Sequence, residues 1–237
     1  MAPTARELAR RTVRDGILAA ARARLTAEGP AQLSLRAVAR DVGLVSSAVY
    51  RYFPSRDDLL TALLVMDYDE LGAAVEAADA AAGPDPGRRW VAGCRAVRTW
   101  SVAHPGDFAL LYGSPVPGYV APAETVAPAS RTTLTLVRVV ADALDGAPAG
   151  ADGAGAGAGT GAAVGAVADG VATLRAAGIE LPEEVLVRML MAWTTVFGTI
   201  SFELFGHYVG SVSDQAAYFD EVVARLADDL GFSATFG

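Results

Sequence analysis

Residues Leu35 to Arg56 read LRAVARDVGLVSSAVYRYFPSR, and this stretch decides the fold. Leu35, Val38, Ala39 and Val42 recur at i, i+3, i+4 and i+7, the spacing that lines up apolar side chains on one face of a helix. Ser34 stands where an N-cap belongs, and Gly43 ends the run. A second short helix is expected from about Ser46 to Phe53, closed by Pro54, whose ring disfavours helix in the residue before it. Projected on a helical wheel, Val49 and Phe53 share one side, Ser47, Ala48, Arg51 and Tyr52 take the opposite arc, and Tyr50 sits at the border. The apolar side suits Leu35, Val38 and the helix before them. Two short helices crossing at a glycine turn make a helix-turn-helix.

Working outward, Leu8, Ile17, Leu18, Ala21 and Leu25 keep near-helical spacing between Arg6 and Leu25, and Glu28-Gly29-Pro30 supplies a stop. Ser55 with Asp58 gives a capping-box pattern for a fourth helix that carries Leu59, Leu60, Leu63, Leu64 and Leu71 towards Gly83-Pro84. Helical segments broken by Pro105, by the loop Gly113 to Tyr119, and by Pro122 and Pro128 come next. Gly146 to Gly161, GAPAGADGAGAGAGTG, reads as a flexible Gly/Ala insert. Two strong helices follow, one from about Pro182 and one from Asp214 to Leu230, with Tyr218, Val222, Leu226 and Leu230 at i+4 steps as its expected apolar face. No segment alternates like a strand. The expected fold is all-α, with a helix-turn-helix domain over 1–54 and a larger helical domain over 55–237.

The net charge of −8 is unevenly spread over the 237 residues. Residues 1–60 hold ten Arg against six acidic residues, a balance of +4, and the remainder hold nine Arg and 21 acids, a balance of −12. Lys is absent, which a GC-rich genome would explain. A lone Cys94 and two His leave no internal disulfide and no ligand set for zinc, so no metal or cofactor is expected. No secretion signal or membrane span is read from the sequence, and a cytoplasmic location is expected.

A basic head on an acidic body suits nucleic acid. A helix-turn-helix sets its second helix in the major groove, where side chains reach base edges. Ser46, Ser47 and Ala48 are small enough to let the backbone come close to DNA. Arg36 and Arg40, one turn apart, and Arg56 at the next helix start are placed for phosphates, and the backbone N–H groups after Ser34 and Ser55 offer further anion contacts. Taken singly, an exposed arginine is most often just solvated, and a Tyr beside a Phe is most often core. Their coincidence with a turn glycine favours DNA.

The run Leu33 to Leu64, LSLRAVARDVGLVSSAVYRYFPSRDDLLTALL, resembles the N-terminal DNA-binding domain of the TetR family of bacterial transcription regulators. The resemblance rests on the apolar spacing, on Gly43, on Tyr50-Arg51-Tyr52-Phe53 and on the turn from Ser55 to Leu60. It implies phosphate contacts from Tyr50 and Arg56 and a groove-facing set of Ser46, Ser47, Ala48, Arg51 and Tyr52. Many relatives carry a Lys-Gly pair where Ser46-Ser47 stands here. His104 to Pro122 and Ala192 to Gly206 resemble the C-terminal domain type named WHG for its Trp, His and Gly. Trp193 and Gly198 match, while Phe197 stands at the histidine position, so no histidine role carries over. The family implies a homodimer built through the last two long helices, a palindromic double-stranded DNA operator, a small-molecule effector and, most often, repression.

In the body, Trp90, Trp100, Phe108, Tyr112, Tyr119, Trp193, Phe197 and Phe202, with Cys94, His104 and Glu203 as occasional polar groups, are candidates to line an apolar effector cavity; the plainer reading is a packed core. Without Lys there is no P-loop lysine and no Ser-x-x-Lys nucleophile, and no Gly-x-Ser-x-Gly elbow appears. Gly157 to Ala162 fits Gly-x-Gly-x-x-Ala but follows no strand, so an enzyme is not expected. The rival class is a helical protein-interaction or architectural module without an effector. Salt-sensitive binding to one palindrome separates the two.

Overall fold

One face of the first helix is apolar at Ile17, Leu18, Ala21 and Leu25, all buried, and the elements that follow fold onto that face. The computed structural model describes residues 4–145 and 167–237; the Gly/Ala insert read over 146–161 lies outside the described residues. Among the described residues all regular structure is helical. The helices are α1 (Ala5–Glu28), α2 (Leu35–Asp41), α3 (Ser46–Val49), α4 (Arg56–Ala81) and α5 (Pro86–Ala103). They continue as α6 (Pro105–Tyr112), α7 (Val126–Asp145), α8 (Ala168–Ala176), α9 (Glu183–Leu204) and α10 (Gln215–Leu230). The chain divides into two units, Met1–Glu70 with Ala103–Ala129, and Leu71–Val102 with Ser130–Gly237.

In the first unit α2 and α6 pack on α1, and α3 packs on α2. Val38, Val49, Phe53, Leu59, Leu60 and Leu63 join Ile17 and Leu25 in one core, which Leu110 and Val116 complete. Gly106 lets α6 sit directly on α1: a Cβ there would lie 2.5 Å from the backbone nitrogen of Thr26 and 2.7 Å from the carbonyl carbon of Leu25. Any side chain would push the two helices apart.

Beside this core lies an ionic cluster that the sequence reading missed. Arg22 Nε donates to Asp107 Oδ2 at 2.7 Å, its two Nη groups donate to Glu70 at 3.0 and 2.8 Å, and Nη2 lies 3.4 Å from Asp67 Oδ1. Asp67 is fully buried and accepts no hydrogen bond from the described residues. Burial, and then the charge of Asp107, push its carboxyl up to about 8 against the pull of Arg22. Asp67 is therefore mostly protonated at neutral pH. Arg22 shares its one positive charge between the carboxyl groups of Asp107 and Glu70, both of which it hydrogen-bonds.

The second unit buries Trp90, Val91, Cys94 and Val97 of α5 with Leu136, Val137 and Val140 of α7 and Leu186, Met189 and Ile200 of α9. Trp90 Nε1 donates to the Val223 carbonyl of α10 at 3.0 Å. Arginines here pair with acids: Arg89 with Asp79 and Asp142, Arg95 with Asp220, Arg98 with Glu203 and Arg131 with Glu76. α9 packs on both α8 and α10. It is also long and apolar enough to cross a membrane by length and composition, with mean hydropathy 1.5. It leaves Leu190, Met191 and Phe202 about half exposed.

Several boundaries differ from the sequence reading. The helix expected over 46–53 is a single α-turn, Ser46–Val49, continued by a tighter turn in which the N–H groups of Tyr52 and Phe53 both donate to the Val49 carbonyl at 2.9 and 3.0 Å. Pro54 keeps Phe53 out of helix, leaving too few residues for another full turn. Pro128 does not break a helix. It sits in the first turn of α7, where backbone N–H groups have no intrahelical partner anyway. α10 buries Phe219, Val223, Ala227 and Leu230, and Tyr218 faces outward, because packing on α9 selects a face one residue along.

Candidate nucleic-acid interface

Gly43 has φ 67°, the left-handed region that favours glycine. That conformation lets the Leu44 N–H reach back to the Ala39 carbonyl at 2.9 Å and the Gly43 N–H to Arg40 at 3.2 Å, which closes α2 and turns the chain. Val45 then starts α3 in extended geometry. Val49 and Phe53 are buried, so the opposite side of α3 faces outward.

On that outward side Ser47, Tyr50 and Arg51 are exposed, and Ser46, Ala48 and Tyr52 are half-buried, with Tyr52 packed against the core. Arg36 and Arg40 are exposed on α2. Among the described residues no carboxylate forms a salt bridge with Arg36, Arg40 or Arg51. Ser34 occupies the N-cap of α2 in extended geometry, but its hydroxyl makes no capping bond. Ser55 does cap: its Oγ accepts from the Asp58 N–H at 3.1 Å and donates to Asp58 Oδ2 at 2.6 Å.

Arg56 is used differently from Arg51. Its Nε donates to the Leu33 carbonyl at 3.0 Å, and one Nη donates to Pro30 and Ala31 at 3.0 and 3.1 Å. It ties the start of α4 to the turn before α2. A second tie went unseen in the sequence: Arg24 of α1 grips Asp41 at the end of α2 at 2.5 and 3.0 Å and Glu28 at 2.7 Å. The Arg24 guanidinium, chiefly through its hydrogen bond, holds the Asp41 carboxyl below its ordinary range. Both ties fix the angle of the two short helices while leaving their outward donors unengaged.

The aromatic set expected around an effector divides between the units. His104, Phe108, Tyr112 and Tyr119 belong to the first, and Trp100, Trp193 and Phe197 to the second. In the first, Phe108 is fully buried with its ring centroid 5.4 Å from that of Tyr112, and the Tyr119 hydroxyl lies 2.8 Å from Thr61 Oγ1. In the second, Trp193 and Phe197 stack with centroids 4.2 Å apart. Of the polar groups expected there, Cys94 is a thiol that burial holds far above its ordinary range, and Glu203 accepts both forks of Arg98 at 2.6 and 2.8 Å.

Small residues and unengaged donors on a short helix, braced behind by a glycine turn and two arginine ties, define a helix-turn-helix DNA-binding protein. The model for bacterial regulatory proteins of the tetR family matches residues 17–63, and the tetracyclin repressor-like C-terminal domain matches 90–226. The chain is 38% identical over 227 residues to the HTH-type transcriptional regulators Rv1816 of Mycobacterium tuberculosis and Mb1846 of Mycobacterium bovis, covering 93% of this chain and 94% of each relative. It is also similar to the crystal structure of SCO4313, described as a regulatory protein, at 30% identity and a TM-score of 0.74, covering 94% of this chain and 98% of that one. The chain belongs to the TetR family of transcriptional regulators.

Proposed function

We propose that this regulator is a homodimeric repressor that leaves a palindromic operator when a small apolar or aromatic molecule binds. The observation that carries the DNA part is the outward side of α3 and the turn that continues it, where Ser47, Tyr50 and Arg51 are exposed beside the exposed Arg36 and Arg40. Arg51 is assigned to a base edge, Tyr50, Arg36 and Arg40 to phosphates, the backbone N–H groups after Ser34 to a further anion contact, Ser46, Ser47 and Ala48 to the close approach of the backbone, and Tyr52 to the groove. Arg56 acts mainly by holding the turn before α2. DNA reading is assigned to residues 1–54 with the start of α4, and dimerisation and effector binding to the remainder. The work is done where the chromosome is, in the cytoplasm.

The homodimer is supported by the exposed apolar residues of α9, since a helix leaving Leu190, Met191 and Phe202 in water gains by covering them. Two copies of α3 about one DNA turn apart, ~34 Å, would read two half-sites together. The effector reading is supported by the aromatic content around Trp100, Trp193 and Phe197 and around His104, Phe108, Tyr112 and Tyr119. The test is selection of bound sequences from a random duplex pool at two salt concentrations. Enrichment of a palindrome whose affinity falls with salt is expected. No enrichment by a folded dimer would replace this reading with an architectural or protein-interaction role.

A further inference from the structure

The first three turns of α1 carry Arg6, Arg10, Arg11 and Arg14, all exposed. Arg14 lies over the Phe53 ring at 5.4 Å from its centroid. Arg6 and Arg10, one turn apart, instead line an open cleft of about 540 Å³ whose other wall is Arg51 and Tyr52, in the turn that continues α3. Glu7 is the one acid among the lining residues, and its Oε2 is held by the backbone N–H of Thr4 at 2.7 Å and by its hydroxyl at 3.0 Å. Among the described residues no carboxylate forms a salt bridge with Arg6, Arg10 or Arg51. The guanidiniums of Arg6 and Arg10 therefore line one open cleft beside Arg51, and the acid present is engaged in the N-terminal cap of α1.

Like charges gathered together repel one another, so an anion that enters the cleft is attracted by all of them and relieves that repulsion. Guanidiniums match the oxygens of a phosphodiester with paired hydrogen bonds. Because one wall of the cleft is the turn that continues α3, an anion held there lies next to whatever α3 reads. We infer that this cleft is a second phosphate site, which grips the sugar-phosphate backbone of DNA flanking the bases that α3 contacts. The inference rests on the DNA reading above and extends the contact surface from α2 and α3 to α1.

The experiment compares the full-length chain with the Arg6→Gln/Arg10→Gln double variant, using the selected palindrome either trimmed flush or extended by about half a helical turn at each end. The variant keeps helix-forming residues, and circular dichroism checks that α1 is intact. On the extended duplex the variant binds about 10-fold more weakly at low salt, and its log–log salt slope per protomer falls by about 2, because two phosphates per protomer are no longer neutralised. On the trimmed duplex the two proteins bind alike. An Arg6→Lys/Arg10→Lys variant recovers most of the slope. Equal affinity and slope on the extended duplex would overturn the proposal, and so would an equal loss on both duplexes, which would put the contact within the half-site. If the unaltered chain shows neither a preferred sequence nor a salt-dependent affinity, it is the DNA reading itself that fails.

Discussion

Arginine serves two opposite purposes, and the two units differ in which of them prevails. In the first, Arg6, Arg10, Arg36, Arg40 and Arg51 stand exposed, and among the described residues no carboxylate forms a salt bridge with them. In the second, Arg89, Arg95, Arg98, Arg131, Arg188 and Arg225 each hold an acid within the same unit. A count of charges per segment sees only +4 and −12. What distinguishes a binding surface from a scaffold is whether each guanidinium already has a counter-charge, because only an unpaired one has its full affinity left for phosphate.

Arg22 is an arginine of the first unit used as scaffold. Arg22→Leu leaves Asp107 buried and uncompensated, and destabilisation of about 3–5 kcal/mol is expected in urea unfolding. Loss below about 1 kcal/mol would mean that the cluster is hydrated and adds little. Next comes Arg51→Ala, expected to cost about 1–3 kcal/mol on the selected operator and to relax preference at one position, whereas Arg36→Ala weakens all DNA alike and reduces the salt slope by about 1. Indistinguishable profiles for the two variants would remove the division between reading and anchoring. At the small end, Arg225→Ala removes an exposed i,i+4 pair with Glu221 and should change stability by no more than about 0.5 kcal/mol.

A further test uses pH. The folded Asp67 carboxyl titrates at about 8, against roughly 4 in an unfolded chain, so the folded state holds the extra proton between those values. The contribution of Asp67 to stability is therefore full below about pH 4, falls as pH rises through the window, and is flat above 8. Asp67→Asn mimics the protonated acid. Its Tm should exceed that of the unaltered protein at pH 8 to 9, with the gap closing as the solution is acidified towards pH 4, and a gap that stays constant between about pH 4 and 8 would show that Asp67 does not carry the titration.

The helix-turn-helix was legible because its determinants are local: the spacing of Leu35, Val38, Ala39 and Val42, the turn at Gly43 and the stop at Pro54 act within a few residues. The capping pair Ser55 and Asp58 was legible for the same reason. The braces were not, since Arg24 meets Asp41 across 17 residues and Arg22 meets Asp107 across 85. One sign of the buried cluster was present: Asp67 falls on the apolar stripe of Leu60, Leu63, Leu64 and Leu71, where an acid needs a partner. The face of α10 was misjudged by one residue because a helix rich in Ala and Val offers two adjacent apolar stripes, and only α9 chooses between them. α8 was not anticipated, as Ala168–Ala176 has weak apolar periodicity beside the Gly/Ala stretch. The cleft between α1 and α3 needed three dimensions, because Arg6 and Arg51 are far apart in sequence.

Cys94 gives the second unit a built-in clock. It is the sole cysteine of the chain, it is fully buried on α5, and burial keeps its sulfur in the unreactive thiol form. A thiol-specific alkylating reagent can meet it only when α5 opens, so the rate of labelling reports how often that happens. Slower labelling in the presence of a compound would identify a molecule that binds the closed body, without an operator, a reporter gene or a tagged ligand.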